Sequence, residues 1–343
     1  MVRGLLLLLL LILLLCAALC AAMCAAKCYA CGLARAGATG GAEPTPNESA
    51  LATPVSPRRI TWPPAPAVPR ITDVGRACAR AAIRRGEFGP LTARTLSQIA
   101  AEAKRATKGS PDATRATSEA IASVVRTEVT LAAQRVRSRE TVTFDSMGIK
   151  TPASAAAVLA AARSARVPPI AMLRSLLERA GLRASQIRSV LADPQSAATV
   201  TDLLTGDFTL LAEADLSSRV NSVRAQEQAM RFEERVSEIL TAAVGRGAYQ
   251  RENDRRGDAA ESSLTPDFLF KTPVMVDGHI INWLDAKNYY WYGSPLTARS
   301  VYRQAEKYTR AFGPGAFVFR HGADPKVGIG AEATDIPPVM LFL

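Results

Sequence analysis

Two carboxylates and a lysine bracket a hairpin pattern in the last third of the chain. Asp267 opens one strand-like run, and Asp285 and Lys287 close the next. Between them Val276-Asp277-Gly278-His279 supplies the turn, because Asp-Gly accommodates the positive φ of a short hairpin loop. Strand side chains alternate between faces. Trp283, Asp285 and Lys287 therefore share one face, and Ile280, Asn282, Leu284 and Ala286 share the other. Carboxylates at the ends of neighbouring strands can hold a hard divalent cation through oxygen. A lysine two residues on can position or activate a water, and together these make the chemistry of metal-assisted phosphodiester cleavage. An acid-x-lysine triplet alone is commonly solvated surface. Pro266-Asp267 upstream, in a strand of its own, lifts it above that reading.

The elements that must position these groups are legible around them. Residues 216–244 read as one long helix with a buried stripe of Phe232, Val236, Ile239, Leu240 and Ala243. Glu233 lies at the edge of that stripe and could face Asp267 and Asp285, whereas Glu234 points away. Residues 248–251 read as a first strand and 252–263 as a polar loop. After Lys287 comes Asn288-Tyr289-Tyr290-Trp291-Tyr292, rings that can stack on bases, cover a site, or simply pack. A helix over residues 296–312 carries Gln304 and Tyr308 one turn apart on one face and stops at Gly313-Pro314-Gly315. Residues 317–320 and 339–342 read as closing strands.

Upstream, residues 71–215 are expected to be helical throughout, in segments near 74–85, 92–106, 113–136, 153–162, 169–180 and 185–191. Thr151-Pro152 resembles a helix start, with Thr as cap and Pro in the first turn. The pair 153–162 and 169–180 has helix-turn-helix length, with Arg163, Arg166 and Arg174 in or near its turn. A DNA-reading hairpin and an ordinary helical hairpin both fit, and the ordinary one fits better. The 343-residue chain carries a net charge of +11, and residues 71–215 hold twenty basic against fourteen acidic side chains. Such an excess favours a polyanion, most simply nucleic acid, although an arginine-rich composition also raises the pI by itself.

Residues 5–26, from Leu5 to Ala26, contain no charge. As a helix they would reach about 33 Å, enough to cross a hydrocarbon core. A signal peptide, an anchor, and a low-complexity extension with Met23 as a later start all fit. Residues 37–70 are rich in Pro, Gly, Ala, Ser and Thr and are expected to be an extended or disordered linker. Five of the six cysteines lie in the first 31 residues. The folded part therefore lacks a disulfide framework, which suits a reducing compartment. With one remaining cysteine and two histidines, zinc is not expected.

The order helix, strand, strand, strand, helix, strand resembles the core of the PD-(D/E)xK nuclease superfamily. Thr265-Pro266-Asp267-Phe268, Asp277-Gly278-His279-Ile280-Ile281-Asn282-Trp283 and Gln304…Tyr308…Phe312-Gly313-Pro314-Gly315 resemble, more closely, the TPD-motif family, that of the codanin-interacting nuclease. The likeness is strongest over residues 228–343, weaker back to about residue 91, and absent before Arg70. It implies an α/β restriction-endonuclease-like core over residues 216–343, preceded by a helical domain over 71–215, the linker over 37–70 and the hydrophobic segment over 1–36. It implies Asp267, Asp285 and Glu233 as ligands of Mg2+ or Mn2+, with the carbonyl of Ala286 as a further ligand. Lys287 would orient the attacking water or steady charge developing on phosphorus. Gln304 and Tyr308 would line the site or the nucleic-acid path. Asp285 stands where animal members carry Glu, and residues 288–303 are aromatic rather than acidic, so substrate preference does not carry over. The expected activity is metal-dependent hydrolysis of nucleic acid, DNA before RNA and including branched forms. The alternative is a non-catalytic adaptor that binds a codanin-like protein through a retained nuclease fold. The catalytic part is expected in the nucleus or cytoplasm, with a membrane or the secretory pathway as the alternative that Leu5 to Ala26 raises.

Overall fold

Segments rich in Ala and Leu favour helix, and the β-branched and aromatic runs after residue 265 favour strand. The computed structural model describes residues 57–64, 70–139, 152–255, 265–327 and 339–342, and it is a mixed α/β fold. The helices are α1 (Thr72–Arg84), α2 (Ala93–Ala106), α3 (Pro111–Arg139), α4 (Ala155–Ala165), α5 (Pro169–Arg179) and α6 (Ala184–Ala192). There follow α7 (Thr209–Glu213), α8 (Arg219–Val244), α9 (Glu252–Arg255) and α10 (Pro295–Phe312). The strands are β1 (Arg58–Ile60), β2 (Ala153–Ser154), β3 (Leu204–Thr205) and β4 (Tyr249–Arg251), then β5 (Phe268–Val276), β6 (His279–Lys287), β7 (Gly315–Phe319) and β8 (Val339–Phe342). The hydrophobic segment, most of the linker and Thr151 lie outside the described residues.

The main sheet runs β1-β5-β6-β7-β8, with β4 antiparallel to the first residues of β5. The β5–β6 hairpin turns through Asp277 at φ 47° and Gly278 at φ 84°, both left-handed, as the Asp-Gly pair requires. β6, β7 and β8 are parallel, so α10 serves as the crossover between β6 and β7. On one face, α8 buries Phe232, Val236 and Leu240 against Phe268, Leu284, Ala316 and Val318. Alternation turns Trp283, Phe317 and Phe319 to the other face, where Val301, Ala305 and Tyr308 of α10 cover them. Each such large side chain contributes roughly 1.5–3 kcal/mol on burial.

The linker expectation fails at its end. Arg58–Ile60 is a strand, paired in parallel with Val274–Val276 of β5. Ile60 and Trp62 are buried in the sheet core, and the Trp62 indole donates to the Phe342 carbonyl at 2.9 Å. Proline-rich composition still leaves room for one short edge strand, because β5 needs a partner where β4 ends. A second difference lies in β6. Ile280 is 48% exposed and Ile281 fully buried, the reverse of the alternation expected. The two strands change register between Leu269 and Val274 of β5, and on β6 Ile281 joins Leu284 in the core cluster.

The helical segment packs as two clusters. One joins α1, α2 and α3 through Ala79, Ile99, Ile121 and Val125; the other joins α4 to α7 through Val158, Leu173, Leu176 and Leu211. α4 begins at Ala155, capped by Ser154, whose Oγ accepts from the Ala157 N–H at 3.3 Å. α4 and α5 cross at 115°, an angle within helix-turn-helix range. However, α5 buries eight of its eleven residues, Ile170, Met172, Leu173, Leu176 and Leu177 among them. A helix enclosed in this way has no free face for a major groove, so the pair is a bundle hairpin. Residues 71–215 and 216–343 also do not part into separate bodies, since Ser56–Leu343 forms one compact unit. Tyr290 and Tyr292, just past β6, are buried in the α1–α3 cluster. The Tyr290 N–H donates to Ser123 Oγ at 2.8 Å and the Tyr292 hydroxyl to Glu128 at 3.1 Å.

Candidate active site

Asp267 immediately precedes β5, where the chain turns into the sheet beside the C-terminal end of β6. Its Oδ2 accepts from the backbone N–H of Ala286 at 2.7 Å, which ties the two strand ends together. The amide of Ala286 thus meets Asp267. Asp285 is buried and forms an ion pair with Lys287, two residues on along the same face. The Lys287 ammonium also lies 5.5 Å from the centre of the Phe317 ring beneath it. Glu233 reaches the site from α8, half-buried beside Phe232, while Glu234 is exposed and pairs with Arg251 at 2.6 Å. The helix register is therefore as expected.

The electrostatics show that these groups share one environment. Burial first, then the charges of Asp285 and Glu233, holds Asp267 well above the ordinary carboxylate range. Burial, then Asp285 and Glu252, raises Glu233. Burial alone would lower Lys287, but Asp285, Tyr289 and Asp267 together outweigh it and the ammonium is held above the usual lysine value. Burial pushes the nearby Tyr289 phenol up to about 12. Three mutually repelling carboxylates are a donor set that suits a hard divalent cation. The fit in donor chemistry is clear, but the positions are set for protein partners. Among the described residues no three His, Cys, Asp or Glu side chains stand together as a ligating group. One Asp267 oxygen is turned to Ala286, and Asp285 is turned to Lys287.

The other expected residues divide. Tyr308 is buried, edge-on to Trp283 at 5.2 Å, and its hydroxyl donates to the Thr265 carbonyl at 3.1 Å. It anchors the Thr265-Pro266-Asp267 turn from below. Gln304 sits one turn earlier on α10, half-buried. Glu252, read from sequence as part of a polar loop, begins α9 and belongs to the site. Its Oε1 accepts from Thr265 Oγ1 at 3.1 Å, and its N–H donates to the Asp267 carbonyl at 3.2 Å. Glu252 is one of four acids in that polar stretch, and its place follows from β4 pairing with β5. Of the aromatic run, Tyr290, Trp291 and Tyr292 are core, so only Tyr289 is left beside the site.

Residues 206–328, which contain every one of these side chains, match the family model described as "Protein of unknown function TPD sequence-motif". The chain carries a TPD-motif domain. An uncharacterized protein of Acanthamoeba polyphaga mimivirus is 41% identical over 70 residues, 19% of this chain and 26% of that protein. CDAN1-interacting nuclease 1 of Homo sapiens is 36% identical over 59 residues, and its Gallus gallus counterpart 35% over 60. Each of those two matches covers 17% of this chain, and they cover 20% and 21% of the respective relatives. The matched stretch thus spans about a fifth to a quarter of the curated relatives. No solved structure matches.

Proposed function

We propose that this TPD-motif domain is a metal-dependent nuclease of the PD-(D/E)xK type that hydrolyses phosphodiester bonds of DNA in the nucleus or cytoplasm. The observation that carries the reading is the joining of two strand ends. Asp267 is bonded to the Ala286 amide between Asp285 and Lys287, and Glu233 shares their field. Asp267, Asp285, Glu233 and the Ala286 carbonyl would hold Mg2+ or Mn2+, which when bound supplies charge to polarise the phosphate and acidify a water. The chain's own residues do the rest. Lys287, fully protonated near neutral pH, orients the attacking water and offsets negative charge at phosphorus once Asp285 releases it. Tyr308 and Glu252 fix the backbone that presents Asp267. Trp283 and Phe317 wall the site from below and exclude bulk water. The relatives named as nucleases support the reaction class.

A second reading rests on the other half of those relatives' name. The domain would then be a non-catalytic adaptor that binds a codanin-like protein through a retained nuclease fold. One experiment separates the two. The full chain is incubated with labelled branched, single-stranded and double-stranded DNA in Mg2+, Mn2+ or EDTA, beside Asp285→Asn. Cleavage that needs the cation and is lost in Asp285→Asn is expected. Absence of cleavage on every substrate, or equal cleavage by the variant, rejects the nuclease.

A further inference from the structure

Beside Lys287 lies a cleft larger than one phosphate requires. It encloses about 880 Å3 between α3, α8 and the end of β6, within the range of about 300–1,000 Å3 typical of sites that enclose a drug-sized ligand. Its walls are one-sided in charge. Arg126 from α3, Arg231 and Arg235 from α8, Arg320 just past β7, and Lys287 on the floor face one acid, Glu119. Arg235 is also engaged by Glu238 at 2.9 Å, so the strongest unbalanced charge lies at Arg126 and Arg320. Arg320 is held in place: it donates to Asn288 Oδ1 at 3.0 Å and lies over the Phe232 ring at 6.0 Å. Arg126 keeps an exposed face yet is desolvated within the cleft. That desolvation, and then the charge of Arg320, lowers its pKa from the ordinary arginine value. Two guanidinium groups so placed repel each other until an anion sits between them.

We propose that this cleft is the track for a single strand of nucleic acid, with Arg126 and Arg320 clamping a backbone phosphate next to the one at Lys287. Arg231 and Arg235 guide the strand outward along α8. The proposal rests on the nuclease reading and gives it a substrate form. The geometry favours one strand over a duplex, because α3 and α8 wall the cleft on both sides and its volume admits only a few nucleotide units. It favours phosphate over an acidic peptide, because planar guanidinium forks match phosphate oxygens two at a time. The cleft also ends at Lys287, where the reacting phosphate belongs.

The test uses the full chain in EDTA, so that binding is read without cleavage. The probe is a short fluorescein-labelled oligothymidine, with the corresponding duplex and a poly-glutamate peptide as competitors. The Arg126→Ala/Arg320→Ala double variant should bind at least about tenfold more weakly. Its slope of log affinity against log salt should be shallower by about 0.7, the value of one single-strand phosphate contact. Arg320→Lys, which keeps the charge, should bind between the wild type and its own alanine variant. Arg105→Ala, on the exposed face of α2, should bind as the wild type does. Thermal melts exclude unfolding as the cause of any loss. Unchanged affinity in the double variant, equal loss with Arg105→Ala, or stronger competition by duplex or poly-glutamate overturns the track. Failure of the nuclease reading looks different: the wild type binds the strand through the cleft and cuts nothing in Mg2+ or Mn2+.

Discussion

Glu233 and Glu234 are neighbours in sequence and opposites in environment. Glu233 is half-buried and its carboxyl is raised by burial, Asp285 and Glu252. Glu234 is exposed and bonded to Arg251. Glu233→Gln should therefore cost at least about tenfold in cleavage rate, roughly 1.4 kcal/mol of transition-state stabilisation. Glu234→Gln should cost little, since a surface ion pair contributes about 0–1 kcal/mol. Initial rates on one labelled substrate check this, and the reverse order would mean that Glu234 faces the site. Asp267 gives a different test. Its raised pKa means that the ionised form is disfavoured in the folded state, so its charge at neutral pH opposes folding. Asp267→Asn keeps an oxygen that can accept the Ala286 N–H and removes the repulsion from Asp285 and Glu233. In EDTA this variant should melt at a higher temperature than the wild type, and calorimetry should show that it no longer binds Mn2+. A lower melting temperature with Mn2+ affinity unchanged would contradict both the repulsion and the shared cation.

At the scale of elements, the junction between α10 and β7 depends on one residue without a side chain. A Cβ placed on Gly315 would fall inside the Trp283 indole, whose Nε1 donates to the Gly313 carbonyl at 2.9 Å. Gly315→Ala must push Trp283 away from Tyr308 and Phe317, and overpacking of this kind costs about 1–3 kcal/mol. Urea denaturation should show that loss, and a variant as stable as the wild type would mean that the indole moves freely. Elements such as this were legible because their signals are local. Asp277-Gly278 dictates its turn, Gly313-Pro314-Gly315 ends its helix, and the spacing of Phe232, Val236 and Leu240 fixes which glutamate turns inward. Non-local consequences were not legible. Ile281 rather than Ile280 enters the core where the two hairpin strands change register. Glu252 enters the site because β4 docks on β5. Arg58–Ile60 becomes a strand because β5 has an edge left open. Ser154 caps α4, and no local pattern marks it out from its neighbours.

At the scale of the whole molecule, the helical bundle and the sheet share a core, since Tyr290 and Tyr292 enter the α1–α3 cluster directly after the site strand. His321 lies on the same junction, its side chain 8% exposed. Burial, then Arg320 and Arg126, lowers its pKa from 6.5 to about 3. Glu119 stands 3.8 Å from its Nδ1, but that carboxylate is 54% exposed. A solvent-screened partner at that distance does not offset burial beside two guanidinium groups. The folded state therefore keeps His321 neutral where the unfolded chain would protonate it. The unfolded state binds the extra proton between pH 6.5 and about 3, so stability falls as pH falls through that window and is unaffected above it. At about 1.4 kcal/mol per pH unit, this one group removes roughly 2 kcal/mol between pH 6.5 and 5. His321→Phe keeps a ring in the junction and removes the titration. The loss of stability between pH 7 and pH 5, from urea denaturation, should be smaller in His321→Phe by roughly that 2 kcal/mol. Parallel losses in the two proteins would place the acid sensitivity elsewhere and mean that Glu119 holds His321 charged in the folded state.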